Sequence, residues 1–197
     1  IMMRVAVCLS GYTRTWEYCY KSLFRWLKDC DYDIFFHTWD ITDLNEDAYD
    51  NTSDYEHLIS CLKPKGFKIE KRPDFSQYER KIIGLYPAQD SSINIFHYNY
   101  SLHQADLLRR NYEDDLNFKY DFVIRSRFDL YFWLNLTYVL TQGTDLKNKK
   151  SIYIPNVANH SGGYNDQLAI GTSESMSKYA NLFTWLPDSL NINFSNY

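Results

Sequence analysis

The N-terminal segment constrains the fold most, because it reads as a strand, a turn, a helix and a second strand in quick succession. Residues 4–9 form an apolar run, RVAVCL, and the turn Ser10-Gly11-Tyr12 follows it. Large apolar residues between 13 and 28 then recur at helical spacing, and a second apolar run, DIFFH, occupies residues 33–37. Two strands joined by a helix are the repeating unit of a parallel sheet. The sequence therefore predicts an α/β protein.

The rest of the chain continues this alternation, so we expect a central, mostly parallel (mixed) β-sheet flanked by helices. Residues 40–53 are acidic and polar and are predicted to form a surface loop. No internal repeat or Pro/Gly/Ser-rich linker divides residues 1–197, which predicts a single domain, with a longer parent polypeptide and further domains left open. The remaining predicted elements are helices over 55–62, 93–116 and 174–186 and strands over 67–70, 121–126, 152–154 and 168–170.

Charge and cysteine usage exclude several classes of partner. The formal net charge is −4, which lacks the excess of Lys and Arg that neutralises nucleic-acid phosphates. The apolar start is too short for a signal peptide or a membrane span. The four cysteines show no CxxC or Cys/His spacing, which argues against zinc and indicates reduced thiols. These features predict a cytoplasmic protein that binds no nucleic acid and has no membrane span.

The turn after the first strand is the first candidate site. Ligands of open α/β sheets gather at the carboxyl ends of strands, and Gly11 would let the backbone approach one closely. Arg14, near the start of the helix, suits a phosphate. The spacing matches neither GxGxxG nor GxxxxGK[ST], so neither a dinucleotide site nor a P-loop is predicted. The alternative is a glycine turn that serves only to enter the helix.

The segment YDFVIRSRFD, residues 120–129, is the second candidate. Alternation along a strand would place Val123, Arg125 and Arg127 on one face, so that two guanidinium groups approach one edge of the sheet. Asp129 follows directly. A divalent cation on a diphosphate prefers carboxylate oxygen, and guanidinium groups suit phosphate oxygens. The segment therefore predicts a diphosphate site, with a structural ion pair between an arginine and Asp129 as the alternative.

A polar loop with paired glycines, HSGGYNDQ at residues 160–167, is the third candidate. Such glycines are costly in a core element and useful in a loop that closes over a ligand. Asp166 could hold an acceptor hydroxyl or take its proton, and the alternative is a helix or turn cap. His37, at the end of the second strand, is predicted to be a hydrogen-bonded structural histidine rather than a catalyst.

Taken in order, four motifs resemble those of GT-A-type glycosyltransferases found in capsule loci and in large algal viruses such as chlorella viruses. They are VAVCLSGYTRTW, DIFFHTW, YDFVIRSRFDLYF and GGYNDQLAIG, and the resemblance spans residues 5–183. It implies a single GT-A-like domain that transfers a sugar from a nucleotide sugar, with a UDP-linked hexose or deoxyhexose as donor. The acceptor would be a glycan, in the synthesis of virion or surface glycans.

The resemblance also assigns roles to residues. The DXD position of the family reads Arg127-Phe128-Asp129 here, so Arg replaces the first carboxylate. Asp129 would bind Mn²⁺ or Mg²⁺, with His160 as a second ligand, and Asp166 resembles the acceptor-side carboxylate that acts as base. Two alternatives stay open: a nucleotide-sugar hydrolase or nucleotidyltransferase, and a lectin-like module without turnover. Contacts to the nucleotide or its phosphates are implied for Leu9, Ser10, Gly11, Arg14, Arg72 and Arg127.

Overall fold

The computed structural model of the protein describes residues 3–41, 54–76, 78, 92–141, 150–156 and 165–189. Helices and strands alternate along these segments, as the sequence predicts. The strands are β1 (Arg4–Ser10), β2 (Asp31–Trp39), β3 (Gly66–Glu70), β4 (Phe122–Ser126), β5 (Ile152–Tyr153) and β6 (Leu168–Gly171). The helices are α1 (Trp16–Trp26), α2 (Tyr55–Leu62), α3 (Ser92–Asp115), α4 (Leu136–Thr141), α5 (Ser173–Ala180) and α6 (Leu182–Ser189).

The strands form one six-stranded sheet in the order β3-β2-β1-β4-β6-β5. The first four strands in that order are parallel, whereas β6 pairs antiparallel with β4 and β5 pairs antiparallel with β6. The predicted α/β class and mixed, mostly parallel sheet are therefore confirmed. Within the described residues, no helix combines the length and the apolar character needed to cross a membrane.

β1 lies at the centre of the sheet, and helices cover it on both faces. Val5, Val7 and Leu9 pack into a core on the side of α1. Ala6 and Cys8 pack into a second core on the side of α3. Burial on both faces explains why β1 reads as a continuous apolar run rather than an alternating one. All four cysteines are free thiols, as predicted.

Two predicted elements differ substantially from those of the structure. β2 runs from Asp31 to Trp39, so His37 lies inside the strand rather than at its end. The single helix predicted over 174–186 is divided at Asn181 into α5 and α6. The side chain of Asn181 accepts a hydrogen bond from Arg110 of α3. This contact between helices distant in sequence holds Asn181 at the break, where local helix spacing predicted continuity.

Candidate functional site

The topology brings the candidate segments to one edge of the sheet. From β1 the chain proceeds to β2 on one side, whereas β4 lies on the other side, so the strand order reverses between β1 and β4. In open α/β sheets, ligands bind outside the carboxyl ends of the strands at such a reversal. β6 is antiparallel to β4, so the residues before β6 reach the same edge, where the Arg127 N–H donates to the Gln167 carbonyl at 3.3 Å.

An arginine cluster, consisting of Arg14, Arg127 and Asp129, lies at this reversal. Arg127 donates from Nε to Asp129 Oδ1 at 2.7 Å and from Nη2 to Oδ2. Arg14 donates from Nη1 to Asp129 Oδ2 at 3.3 Å. The Asp129 side chain is only 12% exposed, whereas those of Arg14 and Arg127 are 35% and 28% exposed. Two cations and one anion leave a net positive charge at the surface, which suits an anionic ligand.

Asp129 is held as an anion by its two arginines. Burial raises its pKa, but the hydrogen bonds and charges of Arg127 and Arg14 outweigh burial and lower the pKa below its ordinary value. A divalent cation on this carboxylate would lie beside two guanidinium groups that already engage both oxygens. No three His, Cys, Asp or Glu side chains in the described segments are grouped as a metal site. Both oxygens of Asp129 thus accept from guanidinium groups, and the metal site stays a prediction because its second proposed ligand, His160, lies outside the described residues.

The structure separates the two arginines that alternation placed on one face. β4 ends at Ser126, so Arg127 lies past the strand and lines a small apolar cavity on the α1 side with Leu9 and Trp16. Arg125 instead packs on the α3 side, where its guanidinium lies 4.8 Å from the ring centroid of Tyr98. The prediction of a shared face is wrong for Arg127 because side chains alternate only while the strand continues.

The turn after β1 adopts two left-handed conformations. Gly11 has a φ of 99°, and a Cβ built there would meet nothing within 4 Å, so the space above it is open. Arg14 has a φ of 48°, which is uncommon for a residue with a side chain and costs of order 1–3 kcal/mol. Leu9 and Ser10 are buried in β1, so the structure places them beneath the turn. The turn therefore presents Gly11 and Arg14 at the edge.

A series of buried hydrogen bonds holds the backbone of Gly11 in place. The Gly11 N–H donates to Ser101 Oγ at 2.8 Å, and Ser101 Oγ lies 2.7 Å from His37 Nδ1. His37 Nε2 lies 3.0 Å from Glu70 Oε1. A neutral ring that donates from Nε2 to Glu70 and accepts at Nδ1 from the Ser101 hydroxyl satisfies both nitrogens. Because His37 and Ser101 are buried, these hydrogen bonds position the turn, and the prediction that His37 is hydrogen-bonded is confirmed.

The hydrogen bonds of His37 should stabilise the fold less at acidic pH. Burial lowers the pKa of His37, and the Glu70 carboxylate only partly offsets that effect. Near pH 6.5, His37 therefore takes up a proton in the unfolded chain but not in the folded chain. The free energy of unfolding is thus highest above about pH 6.5 and falls as the pH decreases toward the pKa of His37 in the folded protein. Urea unfolding of the wild type and of His37→Gln across this range measures the difference. Parallel profiles for the two proteins would contradict the prediction.

Arg72 and Asp166 complete the edge. Arg72 Nη1 donates to the Tyr12 hydroxyl at 2.7 Å, and Nη2 lies 3.1 Å from His97 Nδ1. Tyr12 follows Gly11, so Arg72 reaches the β1 turn from the end of β3. The Asp166 side chain is exposed, and its backbone carbonyl accepts from the Tyr98 hydroxyl at 3.1 Å. Arg72, the β1 turn, the arginine cluster and Asp166 thus lie along one edge.

Sequence reasoning missed the polar residues that α3 contributes. Ser101 supports Gly11, and Tyr98 holds the carbonyl of Asp166. The available signal is the spacing of His97 and Ser101, since polar residues four positions apart share one face of a helix. Both are buried, so this face of α3 is polar where it meets the sheet edge.

Comparison with known families gives one match that covers most of the chain. A model described as a domain of unknown function, DUF7796, matches residues 1–190. No curated protein matches the chain.

Proposed function

The chain belongs to the DUF7796 family, and we propose that it is a GT-A-like glycosyltransferase that moves a sugar from a UDP-linked donor to a glycan acceptor. The observation that carries this proposal is the placement of a net-positive arginine cluster and the exposed carboxylate of Asp166 at the same edge of the sheet, where the strand order reverses. The order of the four sequence motifs supports the same reaction. A glycan of a virion or cell surface is the acceptor class that those motifs imply.

The arginine cluster would act on the donor. When the sugar departs from its nucleoside diphosphate, negative charge grows on the phosphate oxygens. Arg14 and Arg127 would offset this charge, and because Asp129 already holds both guanidinium groups, little reorganisation is needed during the reaction. The open space above Gly11 allows a phosphate to approach the backbone closely.

Asp166 would act on the acceptor. Its exposed carboxylate could orient an acceptor hydroxyl and remove its proton as the new glycosidic bond forms. The contact between the Arg127 N–H and the Gln167 carbonyl joins this segment directly to the end of β4. Donor and acceptor groups would therefore meet between the two segments.

The predicted Mn²⁺ or Mg²⁺ has no step in this scheme. Asp129 accepts from two guanidinium groups, and these groups supply positive charge where the ion was expected. We therefore expect the diphosphate to bind without Mn²⁺ or Mg²⁺.

A panel of nucleotide sugars and glycan acceptors tests the proposal. We would follow the release of nucleoside diphosphate and of labelled product, once with Mn²⁺ and once with EDTA. The expected result is acceptor-dependent release with at least one UDP-sugar, persisting in EDTA. Release without acceptor would indicate a hydrolase, and donor binding without release would indicate the lectin-like alternative. Complete loss of binding in EDTA would instead support a metal site that includes His160.

A further inference from the structure

Two arginines are equally buried but lie in opposite electrostatic settings. Arg109 of α3 pairs with Asp106 at 2.6 Å and with Glu113 at 2.7 Å, and it donates to Ser173 Oγ at 2.8 Å. Arg125 of β4 is only 2% exposed, and in the part of the chain that the structure describes it has no carboxylate within ion-pair distance. The first charge is neutralised inside the protein, and the second is not.

The surroundings of Arg125 leave one of its buried donors, Nε, without an acceptor among the described residues. Nη1 donates to the backbone carbonyl of Asp166, and one face lies over the ring of Tyr98. Residues 157–164, which precede this segment, contain neither Asp nor Glu. Burial of a guanidinium is unfavourable unless an anion or a full set of acceptors replaces its water.

We propose that Arg125 binds an oxyanion of a ligand, a carboxylate or a phosphate, where β4 meets the segment that leads into β6. The planar guanidinium matches two oxygens of such a group, and the ring of Tyr98 shields one of its faces. Asp166 is exposed directly beside it, so a ligand would arrive from the sheet edge. An acidic sugar would supply a carboxylate, and a diphosphate would supply phosphate oxygens. This inference does not depend on sugar transfer.

Stability without ligand gives the first test. Arg125→Met removes an unpaired buried charge, so the melting temperature should stay the same or rise. Arg109→Met is the matched control, because it removes the fully buried cation that pairs with both Asp106 and Glu113. These carboxylates would keep only the more exposed Arg110 and Lys119, and the melting temperature should fall by roughly 6–20 °C. A fall of similar size in Arg125→Met would show that Arg125 only supports the fold, and would overturn the proposal.

Ligand binding gives the second test, with glucuronate and pyrophosphate as separate probes. At about 100 times its dissociation constant, a bound anion should raise the wild-type melting temperature by roughly 5–10 °C. Arg125→Met should abolish this shift, and Arg125→Lys, which keeps the charge without the planar fork, should retain part of it. A shift with glucuronate assigns the site to acidic sugars, and one with pyrophosphate assigns it to a phosphate group.

Pyrophosphate needs one further control, because Arg14 and Arg127 are also candidates to bind it. The comparison is therefore made in Arg127→Ala, and the melting-temperature shift that pyrophosphate still produces there supports the proposal only if adding Arg125→Met removes it. If neither anion produces a shift that depends on Arg125, the proposal fails. Donor turnover is measured separately, so failure of this site and failure of the proposed transferase activity are distinguishable.

Discussion

Replacing Asp166 with Asn is expected to reduce sugar transfer about 10²–10⁴-fold, equivalent to about 3–5 kcal/mol in the barrier, while donor affinity changes little. Asn keeps the size of the side chain and the backbone carbonyl that Tyr98 and Arg125 hold, and it removes the negative charge. The side chain is exposed, so the free energy of unfolding should change by less than about 0.5 kcal/mol. Single-turnover kinetics and calorimetry with UDP measure the two effects separately.

Asp114→Asn is a matched control for that variant. Asp114 is also exposed, but it lies near the end of α3, before β4 begins, at the opposite edge of the sheet, where it pairs with Lys119 at 2.9 Å. Its replacement should leave transfer unchanged. If Asp166→Asn transfers sugar at a rate near that of the wild type, Asp166 has only a structural role in its turn. His160 would then be the next candidate for the base.

The fold was predictable where local sequence decides the structure. α2 matches its predicted bounds because Asp54 caps it, accepting from the His57 N–H at 3.0 Å, and an apolar stripe follows. β1 was identified from its apolar run, since helices cover both of its faces. The division between α5 and α6 was not predictable from helix spacing, because it involves the contact between Asn181 and Arg110 of another helix.

Of the candidate site, only the residues that directly follow a predicted strand could be identified from the sequence. Gly11 and Arg127 were found because each follows a strand of a parallel sheet. The pair of Arg127 with Asp129 was also foreseen, as the alternative to a ligand site. The long-range partners were not found, since Arg14 meets Asp129 across 115 positions of sequence and Gly11 meets Ser101 across 90. No local pattern encodes such pairings. The sharing of Asp129 between two arginines therefore emerges only from the folded structure.

Replacing Arg127 with Ala is expected to weaken UDP binding and to lower turnover about 10²–10³-fold, as for the loss of a group that stabilises charge in the transition state. The guanidinium is 28% exposed, so its ion pair with Asp129 should contribute little to the free energy of unfolding, about 0–1 kcal/mol. Melting temperature, calorimetry with UDP and kinetics on the same preparation separate these effects.

Two further variants distinguish whether the arginine cluster binds the diphosphate, binds a metal or is only a structural ion pair. Arg25→Ala removes an exposed arginine that bonds Tyr131 on the outer side of α1, and it should leave UDP binding intact. Asp129→Asn keeps both guanidinium groups, so UDP binding in EDTA should survive it far better than it survives Arg127→Ala. If Asp129→Asn instead abolishes a binding that requires Mn²⁺, the carboxylate is a metal ligand. If Arg127→Ala lowers stability but not turnover per folded molecule, the cluster is only a structural ion pair, because a cation that stabilises the departing diphosphate cannot be removed without slowing the reaction.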